Sequence, residues 1–373
     1  MSKKILVVGA MYSLNFGDGV ICQTVSEIIK KELNAEPVIF GISGASSFHQ
    51  NRQSRNDYED KTSDIRNLYL IKRLRQYRIK CKLWKKLDCQ ASMCDAIVFA
   101  GGQLFMDCFV NYIAWIVGWA EKHNIRVIFN CCGIGKLSEN SKALLDKVFH
   151  SECVQDISVR ESTELFYQQF SSQIQTKRVC DPAMEVSSFH QRCLTKTGKI
   201  GIGLIHPINF RQNCVHINRE QYLKILEIIV RLCRNMNVEF EFFTNGDPLD
   251  TEFCMQAMEA LGCTDKMVPC PMSPVELVDT VTRYERIFSF RLHSHIIATS
   301  YGIPTAAFVW DEKVREFMKL IGREHRCISL MKMPNNHEIS CVFSQLLHDD
   351  IVLLDHGLEL TSQSLRSVLC DKD

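Results

Sequence analysis

The stretch SFRLHSHIIATSYGIPTAAFVWDEKVREF, residues 289–317, decides the fold. Ile287, Phe288 and Phe290 are apolar residues of high strand propensity and predict a buried strand. Arg291, Leu292 and His293 follow at its carboxyl end. Residues 294–301 read as a short helix stopped by Gly302, and residues 304–310 as the next strand. Strand, helix and strand in that order predict a parallel α/β sheet. A cation and an imidazole thus fall in a strand-to-helix turn. Open α/β sheets bind ligands there, and a helix N-terminus favours an anion. Taken alone, the pair has an equally good structural explanation, an Arg matched to a buried acid beside a half-buried His.

The same alternation runs outward through the chain. Residues 4–9, 37–41, 95–100, 126–132 and 157–159 read as strands. Helices are expected over 20–33, 104–121, 138–149 and 162–170, with a short strand at 178–180. A polar connector at about 189–198 precedes a second run: strands at 199–205 and 238–244, then helices at 218–235, 250–261 and 273–284. We therefore expect an N-terminal Rossmann-like domain over 1–190 and a second over 198–327. The C-terminal helices, 328–373, pack back on one or both. Parallel sheets in two domains would face a central cleft. A length of 373 residues suits two cores better than one.

Composition narrows the class. Hydrophobic residues make up 46% and charged residues 23%, and the net charge is +1, so no global attraction to nucleic acid is expected. The 18 cysteines are scattered, without a CxxC pair, so neither a zinc site nor a disulfide framework is expected. The N-terminal run is short and reads as a first strand rather than a signal peptide, which points to a cytoplasmic protein. One segment is polarised. Residues 63–87 are basic, and Ile65, Leu68, Ile71, Leu74, Leu83, Trp84 and Leu87 recur at rough helical spacing. Two readings stay open, a solvated helix packed by one face or a surface for an anionic membrane or acceptor.

Four loops at strand carboxyl ends carry the chemistry. They are Asn15-Phe16-Gly17-Asp18, Gly101-Gly102-Gln103, Ser158-Val159-Arg160-Glu161 and Arg291-Leu292-His293. The first lacks the GxGxxG dinucleotide fingerprint, and no Walker phosphate loop exists, so no nicotinamide cofactor is expected. Asp18 reads as a general base or, more readily by local rules, as a helix N-cap. Gly101 and Gly102 allow close approach to the backbone or make a tight turn. Arg160 is either an anion-binding cation or the partner of Glu161 or Glu164. Lys313, at a helix start, is either a further charge for an anion or an exposed lysine.

Taken together, NFGDG, the Gly-Gly strand end, SVRE, Asp181-Pro182, and RLHSHIIATSYGIP followed by WDEK resemble the polysaccharide pyruvyltransferase family. The order is the family's, across nearly the whole chain to about Gly322. Gln103 stands where the family often has a third glycine, and Trp310 where it usually has Tyr. The resemblance implies a GT-B-like architecture and transfer of pyruvate from phosphoenolpyruvate to a sugar diol, releasing phosphate. It implies Arg291 and His293 at the phosphoenolpyruvate site, flanking Leu292, with Arg160 as a second anion-binding cation; Lys313, by its position, is the candidate for a further charge there. Asn15, Gly17, Asp18, Gly101, Gly102 and Gln103 would line the acceptor side.

The chemistry asks for these residue types. Guanidinium groups bind carboxylate and phosphate bidentately. The methylene carbon needs an acid, for which His293 is the candidate, and the attacking hydroxyl needs a base, for which Asp18 is. His295, two residues on, is expected to be structural. No cofactor or metal beyond the donor substrate is expected. The expected partner is a saccharide, lipid-linked or polymeric, at the cytoplasmic membrane face. A nucleotide-sugar glycosyltransferase on the same scaffold is the alternative. A third reading is a catalytically silent carbohydrate-binding subunit.

Overall fold

A computed structural model describes residues 3–48, 69–171, 173–191, 197–348 and 357–370. The chain divides into two compact units. Unit 1 is Met1–Leu14, Asp18–Pro182 and Leu358–Asp373, and unit 2 is Asn15–Gly17 and Ala183–Gly357. The expected division assigned 1–190 to one domain and 328–373 to separate helices. In the structure the change of unit comes earlier, after Pro182. The two C-terminal helices part company: Asn336–His348 falls within unit 2 and Thr361–Cys370 within unit 1.

The strands of unit 1 are β1 (Lys4–Gly9), β2 (Glu36–Gly41), β3 (Ala96–Phe99), β4 (Gly102–Phe105), β5 (Arg126–Ile134), β6 (Val154–Val159) and β7 (Lys177–Arg178). They form one parallel sheet in the order β2-β1-β3-β5-β6-β7, with β4 paired to β5. The strand direction of travel reverses between β1 and β3, which makes their carboxyl ends the switch point. Stacked and edge-on rings of Phe99, Phe105, Phe129, Phe149, Phe166 and Phe170 fill the core. One helix starts later than expected, at Asp107 rather than 104, because residues 102–105 are taken by β4. The basic helix spans Tyr69–Gln90, and residues 63–68 lie outside the described residues.

Unit 2 holds β8 (Ile200–Gly203), β9 (Phe240–Phe243), β10 (Arg286–Ser289), β11 (Thr305–Val309) and β12 (Cys327–Ser329). They too form a parallel sheet, ordered β12-β11-β10-β8-β9, so its switch point lies at the carboxyl ends of β8 and β10. The core packs Phe288 and Phe290 on Phe308, with Phe290 and Phe308 stacked at 4.2 Å. The helix after β10 spans Leu292–Ser300, two residues earlier than the expected start. Arg291 is therefore its N-cap and His293 sits inside its first turn.

Candidate functional site

In unit 2 the end of β10 is pinned from several sides. Phe290 is held in the aromatic core, and its carbonyl accepts from the Trp310 indole at 2.5 Å. The Ser289 hydroxyl donates to the Gly203 carbonyl at 3.2 Å and accepts the Arg291 N–H at 3.0 Å. These bonds fix the backbone of Arg291 at the switch point. Its side chain then turns onto Asp250, to which both Nε (2.8 Å) and Nη2 donate. Asp250 is fully buried, and its other oxygen accepts the His206 N–H at 2.7 Å. Burial pushes the Asp250 carboxyl up, and Arg291 opposes that shift. The structural explanation for Arg291 is thus partly realised: two of its donors already serve a carboxylate.

His293 is 7% exposed and lies against Gly17 of the NFGDG loop. A Cβ on Gly17 would stand 2.2 Å from its Nδ1, far inside contact distance, so only glycine lets the loop approach this closely. Asn245 joins the two. Its backbone carbonyl accepts the Phe16 N–H at 3.0 Å and its Oδ1 accepts the Ser294 hydroxyl at 2.9 Å. Its Nδ2 is buried and makes no hydrogen bond among the described residues. Sequence reasoning placed Asn245 only in a turn and passed over His206 and Asp250. The Asn-Gly-Asp-Pro turn after a strand was the available signal.

His295, expected to be structural, is fully buried. Its ring bonds the Thr305 hydroxyl at 2.5 Å and the Ser289 carbonyl at 3.1 Å. Burial lowers it to about 4, so it is neutral, and the carbonyl requires the proton on Nε2. Lys313 pairs with Asp311 at 3.2 Å, and its ammonium lies 5.4 Å from the Trp310 ring centre.

In unit 1 the switch point is lined by Asp18, Gly101 and Gly102. Asp18 stands inside the first turn of the helix Phe16–Lys31, not at its N-cap, which corrects the capping expectation. Its carboxylate lies 3.6 Å from where a Gly102 Cβ would be. Gly101 and Gly102 have φ of 108° and 77°, which side chains rarely adopt. Beside them Cys131 adopts φ 49°, and the fully buried Asn130 keeps an Oδ1 without a hydrogen bond among the described residues. Such backbone gathers at functional sites. Gln103 flanks Gly135.

Of the two readings of Arg160, the structure shows the ion pair, with Glu161. Nε and Nη2 donate to Glu161 (3.3 and 3.1 Å), and Nη1 to Asp181 (3.1 Å). Burial disfavours its charge, but Glu161 and then Asp181 outweigh that and raise its pKa. Glu164 is not its partner. Two carboxylates against one guanidinium leave this cluster net negative, so Arg160 acts as a strut joining the ends of β6 and β7.

Two parallel, doubly wound sheets with polar residues gathered at each switch point define an α/β protein of the GT-B type. A family model described as polysaccharide pyruvyl transferase matches residues 15–312. The chain belongs to that family. Among solved structures, similarity extends to the Methanocaldococcus jannaschii UDP-GlcNAc 2-epimerase in complex with UDP-GlcNAc and UDP. That match has a TM-score of 0.56 at 12% identity, covering 99% of each chain. The S. aureus MnaA–UDP co-structure gives 0.60 at 11% identity, covering 99% of this chain and 95% of that one. Anabaena Alr3699/HepE in complex with UDP and glucose gives 0.53 at 9%, covering 98% and 95%. At these identities the likeness is one of fold. No curated protein sequence matches the chain.

Proposed function

We propose that the protein transfers pyruvate from phosphoenolpyruvate to a sugar diol of a bacterial surface polysaccharide or its lipid-linked precursor. The observation that supports this most is the start of the helix Leu292–Ser300. There an Arg cap, a first-turn His and a buried amide converge at a switch point in a chain of this family. The donor's anionic groups meet the helix N-terminus at Leu292 and His293, with the remaining N–H donors of Arg291, held by Asp250, and of Lys313, paired to Asp311, as further hydrogen-bond donors. Arg160, already neutralised, enters as a positioning residue.

His293 gives a proton to the methylene carbon, leaving a cation-like C2. A sugar hydroxyl oxygen bonds to C2 and yields its proton to Asp18. The second hydroxyl then attacks C2, the C–O bond to phosphate breaks, and inorganic phosphate leaves as the ketal ring closes. The proton of the second hydroxyl restores His293, and Asp18 passes the proton it took to the departing phosphate, which leaves as hydrogen phosphate. Asn15, Gly17, Gly101, Gly102 and Gln103 shape the acceptor side. The reaction takes place at the cytoplasmic membrane face and uses no cofactor.

The test is phosphate release from phosphoenolpyruvate across galactosides, glucosides and mannosides, with His293→Ala alongside. Turnover should vanish in His293→Ala while calorimetry still detects phosphoenolpyruvate binding. Near-normal turnover in that variant would remove His293 from the role of acid.

A further inference from the structure

Among the described residues, the helix Tyr69–Gln90 packs on unit 1 through its C-terminal half. Leu83 and Leu87 are buried, and the Trp84 indole donates to the Trp115 carbonyl at 2.9 Å. Lys80 and Lys122 lie over the Trp84 ring at 4.5 and 4.6 Å. Towards the N-terminus every side chain from Arg73 to Arg78 is exposed, including Leu74 at 60% and Tyr77 at 66%. Leu74 and Tyr77 stand three residues apart, so the two exposed apolar side chains are neighbours on the helix surface.

The charge is as uneven as the burial. Arg73, Arg75, Arg78, Lys80, Lys82, Lys85 and Lys86 fall within residues 73–86, with no Asp or Glu among them, in a chain of net charge +1. Arg75, Arg78, Lys82 and Lys85 recur at spacings of three, four and three residues, which aligns them along one side of a helix. All four are exposed. Leu83 and Leu87, at the same period, take the opposite side. Among the described residues, Arg78, Lys82 and Lys85 make no ion pair. The acid nearest in sequence, Asp88, accepts from the Trp119 indole at the far end of the helix.

We propose that this helix is a peripheral membrane anchor, with the stripe Arg75, Arg78, Lys82 and Lys85 on acidic phospholipid headgroups and Leu74 and Tyr77 entering the interface. A cationic face bordered by an aliphatic and an aromatic side chain fits a bilayer surface. A nucleic acid would use the charges and leave Leu74 without a role. The proposal gives a physical basis to the membrane-face part of the proposed function. It is read without turnover, so its failure leaves pyruvyl transfer untouched.

The test is co-sedimentation of the full chain with vesicles of phosphatidylcholine containing phosphatidylglycerol, at low and physiological salt. Each cation at an acidic surface is worth about fivefold in affinity, so Arg78→Gln/Lys82→Gln/Lys85→Gln should bind on the order of a hundredfold more weakly. Leu74→Ser should weaken binding at both salt concentrations, because its contribution is not electrostatic. Both variants should keep the parent's melting temperature and phosphate release with a soluble acceptor. Millimolar inorganic phosphate should not displace the protein from vesicles. Equal binding to pure phosphatidylcholine, unchanged binding of the triple variant, or preference for an oligonucleotide over the vesicles would overturn the proposal.

Discussion

A methyl group at Gly17 would have to share space with the His293 ring. We therefore predict that Gly17→Ala lowers phosphate release by roughly a hundredfold, the scale of a misplaced catalytic group. Arg291 calls for a different reading. Replacing it by Ala strands Asp250 as a buried charge, which should cost about 3–5 kcal/mol in urea unfolding. A loss of activity in that variant thus reports on folding as well as on donor binding. His295 makes stability depend on pH. Burial lowers it to about 4 from the 6.5 of an exposed imidazole. On acidification the unfolded chain takes up this proton first, so the contribution is present above about pH 6.5. It is lost as pH falls towards 4, by ~3 kcal/mol in all. Unfolding curves across that range check it, and His295→Asn should remove this part of the slope.

At the level of elements, strand and helix order was legible because apolar runs and glycine stops are local signals. The start of the Leu292–Ser300 helix was not. Arg291 serves as its cap because Ser289 and the core hold the backbone there, and those contacts come from β8 and β11. For the same reason Arg291 and His293 could be picked out from sequence while Asp250, 41 residues away, could not be assigned to Arg291. Asn245 was hidden in the same way, since its role depends on Phe16 and Ser294. We predict that Asn245→Ala, by releasing the loop from the helix start, raises the KM for phosphoenolpyruvate more than it lowers kcat. A change confined to kcat would limit Asn245 to orienting His293.

Across the whole molecule, chain order and structural unit do not coincide. The C-terminal segment closes unit 1. Glu359 bridges to Val179 beside β7, the Thr361 hydroxyl donates to the Cys180 carbonyl at 3.0 Å, and Leu365 and Leu369 are buried. Truncation after Gly357 should therefore destabilise unit 1, by about 3–6 kcal/mol for the two leucines alone. Hydrogen exchange should quicken in β5 to β7 and stay slow in β8 to β12.

The central claim is that pyruvate moves from phosphoenolpyruvate to a sugar diol through protonation of the methylene carbon. Incubation in deuterated water with phosphoenolpyruvate and a turned-over glycoside, followed by NMR of the product, tests it most directly. We predict a ketal whose methyl group carries one deuterium, formed in equal amount to inorganic phosphate. Phosphate release without a ketal, or glycosyl transfer supported only by a nucleotide sugar, would contradict it.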